Sequence, residues 1–401
     1  MDGLEIKSLI DDIKTSKSKI IPPMPPIARE RYIDKSLYES EIDQVFMKTW
    51  HLVGHTSEFP DIGSYRLLDL PFAPVFIVRG KDLKLRAFIN SCAHRGSSVL
   101  KEDQGCAKVF VCQFHGWTYD MEGKVRTVPD RASFKNLDIT CKGLPEVRCE
   151  LWGEMIFINL DAHAEPLLDA IDPIARRFSE IAEASLQVIS RDSWEVNCNW
   201  KIMEDAFRES YHVDVTHRES VASLVTANST ECIIHPKGHW TMLIPYDQES
   251  DFTGGEMLKL LDPIPMAQSK AFTDYMPVVG LFPNMLFAFQ YGGFPLLQVW
   301  PTGIDTCKVS FIWFGMSWGD GERPEAWDFV IPGYNQVFEE DIGNTSAIQK
   351  STEAAPGLDM PLSDKEVLVY QFHAEIDKLI GQHNVPKHLY VDDILKHCET
   401  P

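Results

Sequence analysis

Two short stretches decide how this chain is read: Cys92-Ala-His-Arg-Gly96 and Cys112-Gln-Phe-His-Gly-Trp-Thr-Tyr-Asp120. Each Cys–His pair follows an apolar run of strand character, LRAFIN at 85–90 and KVFVC at 108–112. Two loops at strand ends can therefore present two thiols and two imidazoles to one site. Cys92, His94, Cys112 and His115 suit a tetrahedral structural zinc ion. They equally suit a [2Fe–2S] cluster in which two cysteines hold one iron and two histidines the other. The flanking residues favour the cluster. Gly96 and Gly116 let backbone N–H groups approach its sulfurs, and Trp117 and Phe114 can shield it, which tunes the potential.

The rest of the sequence sets the frame. A chain of 401 residues, 44% hydrophobic and 24% charged, has ordinary globular composition and room for two domains. The formal charge of -21 argues against binding driven by phosphate neutralisation, so no nucleic-acid partner is expected. No run of about 18 apolar residues exists, so no membrane span is expected. The most apolar tract, 276–300, is cut by Pro283, Asn284, Gln290, Gly292, Gly293 and Pro295. The first residues, MDGLEIKSLIDDIK, are charged and helically periodic rather than leader-like, which points to the cytoplasm. Nine scattered cysteines suit a reducing compartment better than a disulfide framework. Cys106, Cys141, Cys149, Cys198, Cys232, Cys307 and Cys398 read as small hydrophobes outside the ligand set.

Texture changes along the chain. Residues 1–47 read as helical, with LEIKSLIDDI and SLYESEIDQVFMKTW on either side of the loop IIPPMPPIA. Residues 48–160 read as short strands between Gly, Asp and Asn turns, an all-β pattern. Residues 161–401 open with a helical stretch around LLDAIDPIARRFSEIAEA and then mix helices with strand-like runs such as WTMLIPY, MLFAFQY, LLQVW and KVSFIWFGMSW. Ser363 and Glu366 have capping-box spacing ahead of a stripe of Leu368, Phe372, Ile376 and Leu379, and Gly381 is the expected stop. The expectation is an α+β chain: an all-β domain followed by a catalytic domain with an antiparallel sheet flanked by helices, helix-grip-like, on which the N-terminal segment packs. Residues 79–135 hold 11 Lys or Arg against 6 Asp or Glu, a local excess of positive charge in an acidic chain. This is either a fluctuation or a docking face for an acidic partner.

The two Cys–His stretches strongly resemble the Rieske domain of the non-haem iron aromatic-ring-hydroxylating oxygenases, α subunit. A second constellation supports that resemblance. The segment Asn199-Trp-Lys-Ile-Met-Glu-Asp-Ala-Phe-Arg-Glu-Ser-Tyr-His-Val-Asp-Val-Thr-His217 opens like a helix and contains Glu209, His212 and His217. Read alone, His-x4-His is compatible with two unrelated polar-face histidines, because five helical residues subtend about 140°. The β-branched Val213, Val215 and Thr216 are expected to loosen the helix and let both rings turn to one metal. Glu-x2-His-x4-His after Asn-Trp-Lys closely resembles the family's catalytic-iron motif. The resemblance implies a 2-His-1-carboxylate triad of His212, His217 and Asp341, the last in a Glu-Asp pair opening a helix, with Glu340 its nearest competitor. Such a triad leaves open positions on Fe(II) for O2 and substrate.

The resemblance also implies that Glu209 bridges the centres, bonding His212 and, across a subunit interface, a neighbour's His115. The family usually has aspartate there; glutamate also occurs in members acting on quaternary amines. Asp205 stands where the family often has asparagine, so it either bonds near the iron or faces solvent. By the same resemblance, NAD(P)H-derived electrons arrive through a flavin reductase, with or without a ferredoxin. They cross subunits in a head-to-tail trimer, a heterologous interface closing into a ring. The chain looks short for members that pair with a β subunit, so a homotrimer is expected. The substrate is expected to be apolar and aromatic, oxidised by monooxygenation or N- or O-dealkylation. Ring cis-dihydroxylation and monooxygenation of a quaternary amine are the alternatives. The aromatic tract Phe282, Phe287, Phe289, Tyr291, Phe294 and Trp300 offers either pocket wall or sheet core. A zinc-bearing binding module is the rival from another class, and it gives the second constellation no role.

Overall fold

The computed structural model describes residues 19–247, 260–267 and 269–400. The amphipathic LEIKSLIDDI stretch lies outside them. Contacts divide the chain into Met47–Leu167 and a second unit made of Met1–Phe46 with Leu168–Pro401.

The first unit is all β. Its strands are β1 His51–His55, β2 Ser64–Leu68, β3 Val75–Arg79, β4 Leu85–Ile89, β5 Gln104–Cys106, β6 Phe110–Val111, β7 Thr118–Tyr119, β8 Val125–Thr127, β9 Glu146–Trp152 and β10 Met155–Asn159. Seven of them form one sheet in the order β1-β10-β9-β4-β3-β2-β5, and β6, β7 and β8 form a second, smaller one. Strand β3 shows why the run PVFIVRG is apolar throughout. Its alternate residues feed two separate cores: Phe76 and Val78 join Phe88, Phe110, Trp117 and Tyr119, whereas Val75 and Ile77 join Val53, Phe59, Ile156 and Ile158. The first of these cores also contains Cys92 and Cys112.

In the second unit the strands are β11 Leu186–Val196, β12 Glu231–Ile234, β13 Trp240–Pro245, β14 Tyr275–Leu281, β15 Met285–Ala288, β16 Gly293–Gly303 and β17 Thr306–Met316. They pair antiparallel in the order β11-β17-β16-β15-β14-β13-β12. The helices that bear on the site and its surroundings are α1 Lys35–Glu41, α2 Trp200–Phe207, a single turn α3 Val213–Thr216, α4 Trp327–Ala354 and α5 Val367–Ile380. The α+β class is borne out. The capping box precedes α5 as expected, with the Glu366 carboxylate accepting the Ser363 backbone N–H at 2.8 Å. Gly381 ends the helix at φ +85.

Four local expectations need correction. The stretch from 167 to 184 is three short helices, Leu167–Ala170, Ile174–Arg177 and Ser179–Glu183, because Pro173 interrupts it. Helix α2 stops at Phe207, before Glu209, so the loosening falls at 208–211; the β-branched 213–216 instead form an intact turn, with Thr216 N–H donating to His212 O at 2.8 Å. Asp341 does not open a helix but lies in the middle of the 28-residue α4, whose second turn absorbs Pro332 for the loss of one backbone hydrogen bond. Among the cysteines read as small hydrophobes, Cys106 and Cys141 are exposed rather than buried.

Candidate functional site

The Cys–His stretches fold into two loops of the same construction. In the first, Cys92 N–H donates to Ser97 O and Gly96 N–H to Cys92 O, each at 2.9 Å; in the second, Cys112 N–H donates to Trp117 O and Gly116 N–H to Cys112 O, again at 2.9 Å. Gly96 and Gly116 sit at φ +75 and +72, where a side chain is strained, so glycine is required for the turn itself. The loops bring the His94 and His115 rings to 4.6 Å and leave both thiols buried and free.

Tyr119 completes the cradle. Its hydroxyl accepts the Ala93 N–H at 2.9 Å and lies 3.0 Å from Cys92 Sγ, within reach to donate to a thiolate there. Burial raises the Cys112 thiol, but the N–H groups of Phe114 and His115 and the neighbouring Cys92 outweigh it and hold its pKa below the usual value. Trp117 stacks on His94 at 5.1 Å and 3°. Phe114 does not shield the site as expected: it is 57% exposed, with Arg95 over its ring. His115 is exposed as well.

The geometry discriminates between the two metal readings. Four ligands of one zinc ion must all lie within about 4 Å of one another, given Zn–S near 2.3 Å. Among the described residues, no three donors of the Cys–His quartet come within 4.8 Å of one another. A cluster of two irons spans that greater distance. His94 Nδ1 is a buried nitrogen with no hydrogen-bond partner, the state expected of a ligand atom, so the quartet fits the [2Fe–2S] group.

In the second unit, His212, His217 and Asp341 are the group of three donors within 4.8 Å. His212 precedes α3 and His217 follows it, so the rings approach from opposite ends of one turn, with centroids at 5.2 Å. His212 Nε2 and His217 Nε2 lie 3.5 and 3.0 Å from Asp341 Oδ1. Each imidazole is held from behind by a carboxylate: His212 Nδ1 by Glu209 at 2.5 Å and His217 Nδ1 by Glu340 at 2.8 Å. A carboxylate at Nδ1 keeps a proton there and leaves the Nε2 lone pair for a metal shared with Asp341. This donor set fits a mononuclear Fe(II) with open positions. Burial opposes protonation of His217, but Asp341 and Glu340 outweigh it and raise its pKa.

Glu340, read from sequence as a competing ligand, is thus the partner of a histidine, and Ser220 Oγ donates to the same carboxylate at 2.6 Å. The sequence held no signal for Ser220. Asp205 takes neither expected role. It accepts from Tyr32 Oη at 2.6 Å and faces His373 Nε2 at 3.2 Å, in a buried network with the Arg31–Asp377 and Lys201–Glu41 pairs.

Beside the triad lies a cavity of about 110 Å³. Sheet register builds one wall: Met242 pairs with Val278 and Val278 with Ala288, while Leu286 pairs with Leu297, all on one face. The opposite wall comes from the end of α2 and from one stripe of α4, Tyr334, Val337, Phe338 and Asp341. None of the aromatic tract 282–300 lines it. Phe287, Phe289 and Phe294 pack on one another instead. For Phe287 and Phe294 the reason is strand alternation, because the cavity takes their neighbours Leu286, Ala288 and Leu297.

Comparison with known proteins places a family domain over each site. Residues 49–142 match the Rieske [2Fe-2S] domain model, and residues 183–382 match the ring hydroxylating alpha subunit (catalytic domain) model. The chain belongs to the Rieske non-haem iron oxygenases. This family carries a Rieske [2Fe–2S] cluster and a mononuclear iron and draws its electrons from a separate reductase. Among curated relatives, the α subunit of 2-aminobenzenesulfonate 2,3-dioxygenase from Alcaligenes sp. is 30% identical over 56% of this chain and 58% of its own length. The α subunit of benzene 1,2-dioxygenase from Pseudomonas putida is 35% identical over 46% of this chain and 42% of its own. The chain therefore spans about half the length of the curated relatives it matches. Among solved structures, a quaternary ammonium Rieske monooxygenase superposes with TM-score 0.76 at 20% identity, over 90% of this chain and 100% of that one. Naphthalene 1,2-dioxygenase from Rhodococcus sp. gives 0.75 at 20%, over 93% and 97%. Among the described residues, no helix is long and apolar enough to cross a membrane.

Proposed function

We propose that this oxygenase inserts oxygen from O2 into a small, neutral, single-ring aromatic compound. The observation that carries the reading is the cavity against His212, His217 and Asp341. A cavity of roughly 150 Å³ is known to take benzene, so one of about 110 Å³ is on the scale of a single ring. Its wall is aliphatic and aromatic, and among the described residues neither Lys nor Arg lines it, which disfavours a substrate carboxylate or sulfonate. Insertion of one oxygen atom, with N- or O-dealkylation as its variant, is our first reading. The ring dioxygenases among the curated relatives favour a second, cis-dihydroxylation.

In this reading Cys92, His94, Cys112 and His115 hold the cluster, and His212, His217 and Asp341 hold the iron. When bound, the cluster supplies single electrons and the iron supplies O2 activation at positions open to the cavity. The chain does the rest. Glu209 and Glu340 fix the two imidazole tautomers, and the apolar wall keeps bulk water from the reacting carbon. Glu209 also passes the electron, by bonding His115 of the partner subunit in a closed homotrimer; the exposure of His115 supports this. Exposed Arg95, Lys101, Lys108 and Lys135 receive an acidic ferredoxin or reductase. Nine free cysteines suit the cytoplasm. The test is turnover of methylbenzenes, methoxybenzenes, N-methylanilines and quaternary amines with a supplied reductase, read by mass spectrometry. Oxidised products from single-ring compounds are expected. Turnover confined to quaternary amines would overturn the reading. If cluster reduction shows no salt dependence, the docking face is wrong.

A further inference from the structure

One polar side chain in the cavity wall has no part in holding a metal. Among the described residues, apart from Glu209, His212, His217 and Asp341, every lining residue but Tyr334 is Ala, Val, Leu, Ile, Met or Phe. Tyr334 sits on α4 seven residues before Asp341, two turns away on the same face. Its ring is fixed by edge contacts with Trp313, centroids at 5.3 Å and 90°, and with Phe311 at 6.0 Å. The neutral aromatic packing leaves only the hydroxyl uncommitted. Among the described residues it makes no hydrogen bond, and Tyr334 is half-buried in the cavity wall rather than sealed in the core. Burial raises its pKa, and Asp341 pushes the same way, so the hydroxyl keeps its proton and is a donor. A hydroxyl taken out of water without a partner is costly. At a cavity wall the incoming molecule can supply that partner.

We propose that Tyr334 is the specificity-determining hydrogen-bond donor of this pocket, reading a neutral ether or carbonyl oxygen on a single-ring aromatic substrate. This rests on the aromatic-substrate reading above and narrows it. The aliphatic wall accepts the ring and is indifferent to its orientation. The hydroxyl fixes which edge faces the triad, by holding the substituent two helical turns from Asp341. A site built to bond an oxygen discriminates against the hydrocarbon of the same shape, because binding the analogue takes the hydroxyl out of water and leaves it unpaired.

The experiment is equilibrium dialysis of the iron- and cluster-loaded enzyme without O2, comparing wild type with Tyr334→Phe. The probes are shape-matched pairs: methoxybenzene with ethylbenzene, and acetophenone with isopropylbenzene. Phenylalanine keeps the ring contacts with Trp313 and Phe311, and iron and cluster contents of the variant are measured alongside. Wild type is expected to bind the oxygen-bearing member of each pair more tightly. Tyr334→Phe is expected to weaken that member roughly tenfold, the scale of one net neutral hydrogen bond, and to leave the hydrocarbon within about twofold. Equal loss for both members would show that Tyr334 only packs, and no change for either would show that the hydroxyl is not used; each overturns the proposal alone. Failure of wild type to bind any of the four compounds overturns the aromatic-substrate reading and this inference with it.

Discussion

The two proposed metal sites are built by opposite means. The cluster site is made of backbone: two loops with the same pair of hydrogen bonds, each closed by a glycine at positive φ, present four ligands from one short stretch. The iron site is made of side chains. His212 and His217 flank a single turn, Asp341 comes from a long helix with six strands between, and two carboxylates hold the imidazoles. An electron carrier has to keep its geometry through a change of charge, and a backbone cradle on strands provides that. A centre that also binds O2 and substrate needs an open side, and ligands gathered from separate elements leave room for one.

That contrast can be broken by mutation. The largest effect is expected for Asp341→Ala or His212→Ala: loss of iron and of turnover by more than about 10²-fold, beyond what an outer partner costs, with the cluster spectrum unchanged. Loss of the cluster signal in the same variants would mean that the two sites are not independently built. Glu340→Gln and Glu209→Gln each remove a carboxylate behind one histidine. The first should lower iron affinity or activity 10- to 100-fold. The second should keep both metals but slow cluster reoxidation by O2 and substrate; normal single-turnover electron transfer would remove the bridging role from Glu209.

Tyr119→Phe sharpens the other side of the comparison. It removes one hydroxyl donor to Cys92 and should lower the cluster potential by roughly 60–130 mV, the equivalent of one charge-assisted hydrogen bond. An unchanged potential would show that the backbone alone sets it. The smallest effect concerns histidines outside both sites. His235 and His239 are buried with neutral hydrogen-bond partners, and burial, helped by nearby cations such as Arg177 and Lys237, pushes their pKa values down to about 3 and about 4. Unfolded, they take up protons near pH 6.5. Their contribution to stability is therefore complete above about pH 6.5 and declines below it, by up to about 1.4 kcal/mol per pH unit for each, until the folded pKa values are reached. The urea midpoint should fall between pH 7 and pH 5, and a flat profile would contradict the burial argument.

Legibility in the sequence follows the same division. The two Cys–His loops could be read because a backbone-built site is local, so spacing and flanking glycines carry it. The triad could be read only through family resemblance, since nothing local ties Asp341 to His212. Its helical context was misjudged because α4 runs through Pro332 and Gly333. The cavity wall was misjudged for another reason. Aromatic residues at 287 and 294 and aliphatic ones at 286 and 297 alternate along the strands, and only register decides which face the metal. Glu340 and Asp205 show the limit for polar residues. Their types were plain, but their partners, His217 and Ser220 for one, Tyr32 and His373 for the other, lie far along the chain.

The most direct test is a single turnover of the reduced, iron-replete protein under ¹⁸O2 with the single-ring panel, following cluster absorbance and product mass together. The account predicts that substrate and O2 together oxidise the cluster and that one labelled oxygen appears in the product. Two labelled oxygens on the ring would establish cis-dihydroxylation in place of the first reading. Cluster oxidation with no label in any product would contradict the account itself.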